Sequence, residues 1–270
     1  DGHRQRRKGR LWMEITWEES SMSYSVALAG KGGTGKTTLA GLFVKYLVEK
    51  KMTPVLAVDA DSNANLNEVL GLTVDATLGD AREQMKKEVS PGMTKDIFMQ
   101  MKLQEAVVEA EGFDLIVMGR PEGPGCYCAA NTLLTQALDA LIDNYPYVVM
   151  DNEAGMEHVS RLTTNNIEIL LVVSDPTRRG IQAASRIVKL AESLGLRIGQ
   201  KKLVVNQARK GQMDVLAGVV AEYGLDLLGI VPEDEELQEY DLNGKPTVAL
   251  PPDNGALIAA YEIFDKMLQG

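Results

Sequence analysis

The chain has 270 residues, 45% of them apolar, with 28 Lys and Arg against 38 Asp and Glu, for a formal net charge of −10. That length and apolar content suffice for one large domain with a substantial core, while the acidic balance argues against a broad footprint for nucleic acid or anionic lipid, both of which reward clustered Lys and Arg. No apolar run approaches the roughly 20 residues that span a bilayer and no early stretch reads as a secretory leader, so a cytoplasmic protein without nucleic-acid or membrane partners is expected.

In chain order, residues 1–21 (DGHRQRRKGRLWMEITWEESS) are basic at their start and lack periodicity. They read as an extension outside the fold. Trp17-Glu18-Glu19 is encoded by codons that can contain a purine-rich ribosome-binding sequence just upstream of the Met22 codon, so translation is expected to begin at Met22; a short basic arm for an acidic partner is the alternative. The domain then runs over 22–270. Tyr24 to Ala29 (YSVALA) reads as a buried strand, Lys36 to Lys50 as a helix, and Pro54 to Asp59 (PVLAVD) as a second strand, followed by a polar turn from Ala60 to Asn67. The Met- and charge-rich stretch Thr73 to Ala110 is mostly helical in pattern and is expected to cover one sheet edge. Further apolar runs lie at Phe113 to Met118, Tyr147 to Met150, Ile167 to Val173, Lys202 to Val205 and Leu225 to Ile230. Helical patterns intervene at Thr132 to Asp143, Arg179 to Leu194 and Gln212 to Glu222. Near-continuous apolar strands alternating with helices predict a single-domain α/β fold, with a mostly parallel twisted sheet and helices on both faces.

The segment between the first strand and helix carries the chemistry. Gly30-Lys31-Gly32-Gly33-Thr34-Gly35-Lys36-Thr37 fits G-x-x-x-x-G-K-[ST], a loop whose backbone N–H groups surround nucleotide phosphates and whose glycines avoid a Cβ in the way. Gly30, Gly32, Gly33, Thr34, Gly35, Lys36, Thr37 and Thr38 are the expected nucleotide contacts, with Lys36 on the outer phosphates and Thr37 on magnesium, at the N-terminus of a helix. Magnesium in such a site keeps several waters, so carboxylates are expected at neighbouring strand ends. Asp59 and Asp151 end apolar strands and are expected to act on the ion through water. Asp61, two residues further along, is placed to reach the water that attacks the γ-phosphate. A lone strand-end Asp is commonly a cap or turn residue; three of them in register with a P-loop read differently. Asp151-Asn152-Glu153-Ala154-Gly155 then has the form of a switch hinged at Gly155. Asn206, Pro232 and Asp234 follow later strands and are candidates for an adenine pocket.

GKGGTGKTT, followed by VDAD and VVMDNEAG, resembles the deviant Walker A family of dimeric ATPases, which includes septum-site and partitioning ATPases, the nitrogenase iron protein and metallocluster maturation factors. The resemblance runs from Met22 to the end of the chain. It implies that Lys31 reaches across a dimer interface to the partner's nucleotide, that ATP holds two copies together, and that Lys31, Lys36 and Asp61 serve hydrolysis.

Cys126-Tyr127-Cys128 lies in a turn-rich loop ahead of a predicted helix, where the helix dipole favours thiolates that bind soft metals. One chain offers two sulfurs, and two copies meeting on a twofold offer four. A tetrahedral array suits zinc and a square-planar array nickel(II), and both stay open on residues alone. The deviant P-loop, RPEGPGCYC and MDNEAGMEH together resemble the CooC-type ATPases that mature nickel-containing carbon monoxide dehydrogenase and acetyl-CoA synthase. That resemblance implies that Cys126 and Cys128 of two chains bind nickel at the dimer interface and that the ATP cycle inserts it into a client's cluster. A spatial-organising ATPase of the partitioning type and an iron–sulfur ATPase like the nitrogenase iron protein are the rival readings. His158 and the twelve methionines read as structural.

Overall fold

The computed structural model describes residues 23–61, 63–87, 93–119, 136, 138–152, 154, 166–209 and 211–269. The extension 1–21, Met22, the Cys126–Cys128 pair, Glu153, Gly155 and His158 lie outside the described residues.

Strand β1 (Tyr24–Gly30) is buried along nearly its whole length. Its side chains alternate between two cores: Ala27 and Ala29 belong to one, Val26 and Leu28 to the other. A strand covered on both faces has no solvent side to encode, which is why it reads as an unbroken apolar run. Strands β2 (Val55–Asp59), β4 (Phe113–Val117), β5 (Tyr147–Asp151) and β6 (Asn166–Ser174) repeat the pattern. With β3 (Val108–Glu109), β7 (Arg197–Ala208) and β8 (Leu227–Pro232) they build an eight-stranded sheet of the described residues in the order β3-β4-β2-β5-β1-β6-β7-β8. All pairings are parallel except β3 with β4.

Helix α1 (Lys36–Glu49) packs on one face with α2 (Leu66–Leu70) and the last helix, α8 (Gly255–Gln269). Phe43 of α1 meets Phe264 of α8 with ring centroids 4.9 Å apart, and each buried ring contributes on the order of 2 kcal/mol. The other face carries α3 (Leu78–Lys87), α4 (Lys95–Ala106), the helical residues 138–142, α5 (Arg178–Ser193) and α6 (Met213–Glu222). A short α7 (Glu235–Leu242) buries none of its residues. The expected α/β architecture is therefore present, with helices on both faces.

The differences are local. The stretch from Thr73 to Ala110 covers a face through Leu78, Met85, Phe98, Met99 and Leu103 as well as the expected sheet edge, which its own β3 closes. Strand β7 is far longer than its apolar portion, because Arg197, Gln200 and Lys201 pair with β6 in register although their side chains are polar. Asn206 consequently lies inside a strand rather than after one. β8 starts and ends two residues later than its apolar run, and Pro232 closes it at an edge, where a missing N–H is tolerated.

Candidate functional site: a phosphate loop among strand-end carboxylates

Strand order reverses around β1, with β5 on one side and β6 on the other, and ligands of open parallel sheets bind at such a point beyond the strand C-termini. The loop Lys31–Gly35 leaves β1 there. Gly30 has to be glycine because a Cβ would collide with the Val173 carbonyl of β6. Gly33 and Gly35 have φ of 77° and 84°, left-handed values that side chains strongly disfavour. Thr34 is buried, and its hydroxyl donates to the Lys31 carbonyl at 2.9 Å, closing the loop on itself. Helix α1 starts directly after Gly35 with no side-chain cap and no acid in its first turn. Its first N–H groups, which have no acceptor within the helix, are thus left for an anion to satisfy.

Lys36 is 7% exposed and its Nζ donates to the Lys31 carbonyl at 3.3 Å. Burial lowers its pKa, while the nearby Asp151 and Asp61 pull it back up. Lys31, by contrast, is exposed.

The acids come together as the register dictates. Asp59 of β2 pairs with Asp151 of β5, and Leu28 of β1 with Asp151, so both carboxylates stand at the same height beside the loop. They differ in what they bind. Asp59 is fully buried; its two oxygens accept the N–H groups of Asp61 and Leu66, both at 3.0 Å, which shapes the turn after β2 and starts α2. Burial raises its pKa to about 6, against the pull of those N–H groups. Asp151 is 1% exposed, and among the described residues neither of its oxygens has a hydrogen-bond partner. Burial raises its pKa to about 7; the Thr37 hydroxyl and Lys36 favour the ionised form without meeting its oxygens in hydrogen-bonding geometry, and Asp59 and Asp61 oppose it. An ionisable group buried without donors is costly unless a ligand supplies them. The hydroxyl of Thr37 and the free oxygens of Asp151 form a hard-oxygen set suited to a hydrated magnesium ion, whose waters would donate to Asp151 and Asp59. Asp61 is half-buried and accepts the Asn63 N–H at 2.8 Å. Among the described residues no group of three or more His, Cys, Asp or Glu gathers as a metal cage.

Asn152, the second residue of the expected switch segment, is buried and donates its side-chain amide to the Leu28 carbonyl at 2.9 Å, pinning the start of the segment after β5 to β1. Ala154 lies opposite Gly32. Only a buried amide directly after an apolar strand hints at this role in the sequence.

The three candidates for a base pocket separate. Asn206 points under the phosphate loop, donating to the Thr34 carbonyl at 2.9 Å. Asp234 caps α7: its oxygens accept from the Leu237 N–H, the Asn254 amide and the Ala256 N–H at 2.9, 2.9 and 3.3 Å. Pro232 alone borders a cavity of about 610 Å³, whose other walls include Ala208, Arg209, Met213, Ile230 and Gln238. Arg209, three residues past Asn206, and Met213 are lining residues that polarity patterns do not single out.

The comparisons with known proteins agree with this geometry. The family described as the CobQ/CobB/MinD/ParA nucleotide binding domain matches residues 25–248. An uncharacterised ATP-binding protein of Methanocaldococcus jannaschii is 42% identical over 248 residues, 90% of this chain and 98% of its own. The carbon monoxide dehydrogenase accessory protein CooC of Rhodospirillum rubrum is 30% identical over 84% of this chain and 90% of its own. Among solved structures, the septum site-determining protein MinD of Pyrococcus horikoshii, complexed with Mg-ADP, superposes with a TM-score of 0.70 at 23% identity, over 92% of this chain and 98% of that one. Phosphate loop, strand-end acids and family match together make this chain a member of the CobQ/CobB/MinD/ParA family of nucleotide-binding proteins.

Proposed function

We propose that this protein is a magnesium-dependent ATPase that closes as a homodimer on ATP and delivers nickel to a carbon monoxide dehydrogenase or acetyl-CoA synthase, with zinc able to occupy the same thiolates. The observation that carries the nucleotide chemistry is the buried, donor-less Asp151 carboxylate beside an uncapped helix N-terminus and a buried lysine. In this reading the loop N–H groups and Lys36 hold the β- and γ-phosphates. Thr37, Asp151 and Asp59 would hold magnesium, which would supply neutralisation of the charge on those oxygens. Asp61 orients the attacking water and accepts its proton. Lys31, exposed on the loop, enters the partner's site and meets charge developing on the transferred phosphoryl group.

The nickel assignment draws support from the CooC relative and from the Cys126–Cys128 pair. Two chains contribute four thiolates, and nucleotide-driven closure changes their spacing, so that metal affinity and nucleotide state are coupled reciprocally. The decisive experiment is nickel titration with and without ATP on the wild type and on the Cys126→Ser/Cys128→Ser double variant. Stoichiometric nickel that depends on both cysteines and shifts with ATP is the expected result; unchanged uptake by the double variant ends the maturation reading. A brown protein with visible absorption would instead indicate a bridging iron–sulfur cluster.

Likeness to the septum-site proteins favours a second reading, a spatial organiser. That role commonly needs a basic stripe or a free cationic helix. The apolar face of α8, including Leu257, Ile263 and Phe264, is instead packed in the core. Vesicle and DNA co-sedimentation with ATP tests this directly, and no retention on either is expected.

A further inference from the structure

We infer that Asn206, supported by Gln207, is a positioning residue for the phosphate loop, holding the loop's carbonyls from the sheet side so that the adjoining N–H groups face the phosphates. This rests on the reading of that loop as a nucleotide site.

The Asn206 amide is 7% exposed and its Nδ2 donates to the Thr34 carbonyl at 2.9 Å. In a trans peptide the C=O and N–H point in opposite directions. Fixing the Thr34 oxygen toward β7 therefore turns the Gly35 N–H away from the sheet, into the hollow of the loop. Gly35 and Asn206 are fitted to each other, because a Cβ on Gly35 would collide with Asn206 Nδ2. The next residue extends the device. Regular alternation along β7 would send Gln207 to the opposite face from Asn206. Instead Gln207 has a φ of 59°, and the register with β8 shifts between Val205 and Ala208. This bulge re-aims the side chain, and Nε2 comes to 3.5 Å from the Gly33 carbonyl, at the outer limit of a hydrogen bond. A non-glycine residue in that region is strained, and the strain sits where the strand meets the loop. Val204 and Val205, buried between β6 and β8, give the amides a rigid footing.

The two roles part in the ligand that is lost. Affinities for ATP, GTP and base-free inorganic tripolyphosphate, all with magnesium, are to be measured on the wild type, Asn206→Ala and the isosteric Asn206→Asp, with melting temperatures alongside. Loss of a buried donor predicts ATP and tripolyphosphate affinities that fall together by roughly tenfold or more, with the preference for ATP over GTP intact. Asn206→Asp recovers as the pH is lowered, since the protonated acid regains an O–H donor, while Asn206→Ala stays weak; a general loss of packing produces no such difference. If Asn206→Ala does not fold, Asn206→Asp carries the test alone. Tripolyphosphate affinity unchanged with ATP preference lost overturns the inference in favour of base reading. A wild type that binds ATP weakly but tripolyphosphate not at all also overturns it, and one that binds neither removes the nucleotide reading with it.

Discussion

Asp151 ends β5 and Asp234 follows the end of β8 by two residues, both strands belonging to the same sheet, and the two do opposite things. Asp234 is surrounded by donors from Leu237, Asn254 and Ala256; partial burial pushes its pKa up, but those donors outweigh it and hold the carboxyl below its usual range. Asp151 has burial without donors, and its pKa rises to about 7. The first carboxylate is used by the fold and the second is left over by it. The same chemistry thus separates into a helix cap and an unpartnered buried carboxylate according to whether backbone N–H groups converge on it.

The comparison can be tested in descending order of effect. The turn shaped by Asp59 carries Asp61, and Asp61→Ala is expected to bind ATP and dimerise while turnover falls by about 10²–10⁴-fold; steady-state phosphate release at full turnover would reassign the catalytic water. Gly35→Ala combines a left-handed φ with a collision against Asn206. Its ATP affinity is expected to drop on the order of a hundredfold, read by calorimetry.

Asp151→Asn is expected to remove magnesium-dependent turnover and yet stabilise the metal-free protein. The folded pKa lies above the ordinary 3.8, so the wild type loses stability as pH rises from about 4 to about 7 and levels off above. The advantage of the Asn variant should grow through that window to on the order of 2–4 kcal/mol. Melting curves across pH check this, and a flat difference would mean that Asp151 is not the strained carboxylate. Asp234→Ala is the smallest change. It should cost about 1–2 kcal/mol at neutral pH with ATP affinity nearly unaltered. Its depressed pKa makes that contribution fade as pH falls through and below the ordinary carboxylate range, the reverse of the trend at Asp151.

The phosphate loop was legible because its chemistry is contiguous: eight residues carry the turn, the lysine and the hydroxyl. The inner strands were legible because burial on both faces removes polar residues from them. Strand β7 was only partly so. Arg197 and Lys201 belong to it by pairing with β6, and backbone pairing leaves no mark on side-chain polarity. Asn206, Pro232 and Asp234 were grouped by their likeness as strand-end residues, which says nothing of direction; a bulge at Gln207 and a helix start at Glu235 sent them to a loop, a cavity wall and a cap.

Local sequence therefore determined the anion-binding turn, the run of buried strands and the acids that end them, since each depends on neighbours within a few residues. Tertiary structure alone decided that β5 enters between β2 and β1, bringing Asp151 level with Asp59, and that Asn206 passes beneath Thr34. These are contacts between segments about 90 and 170 residues apart, fixed by sheet register and by the competition of each carboxylate or amide for the few donors and acceptors that folding brings within reach.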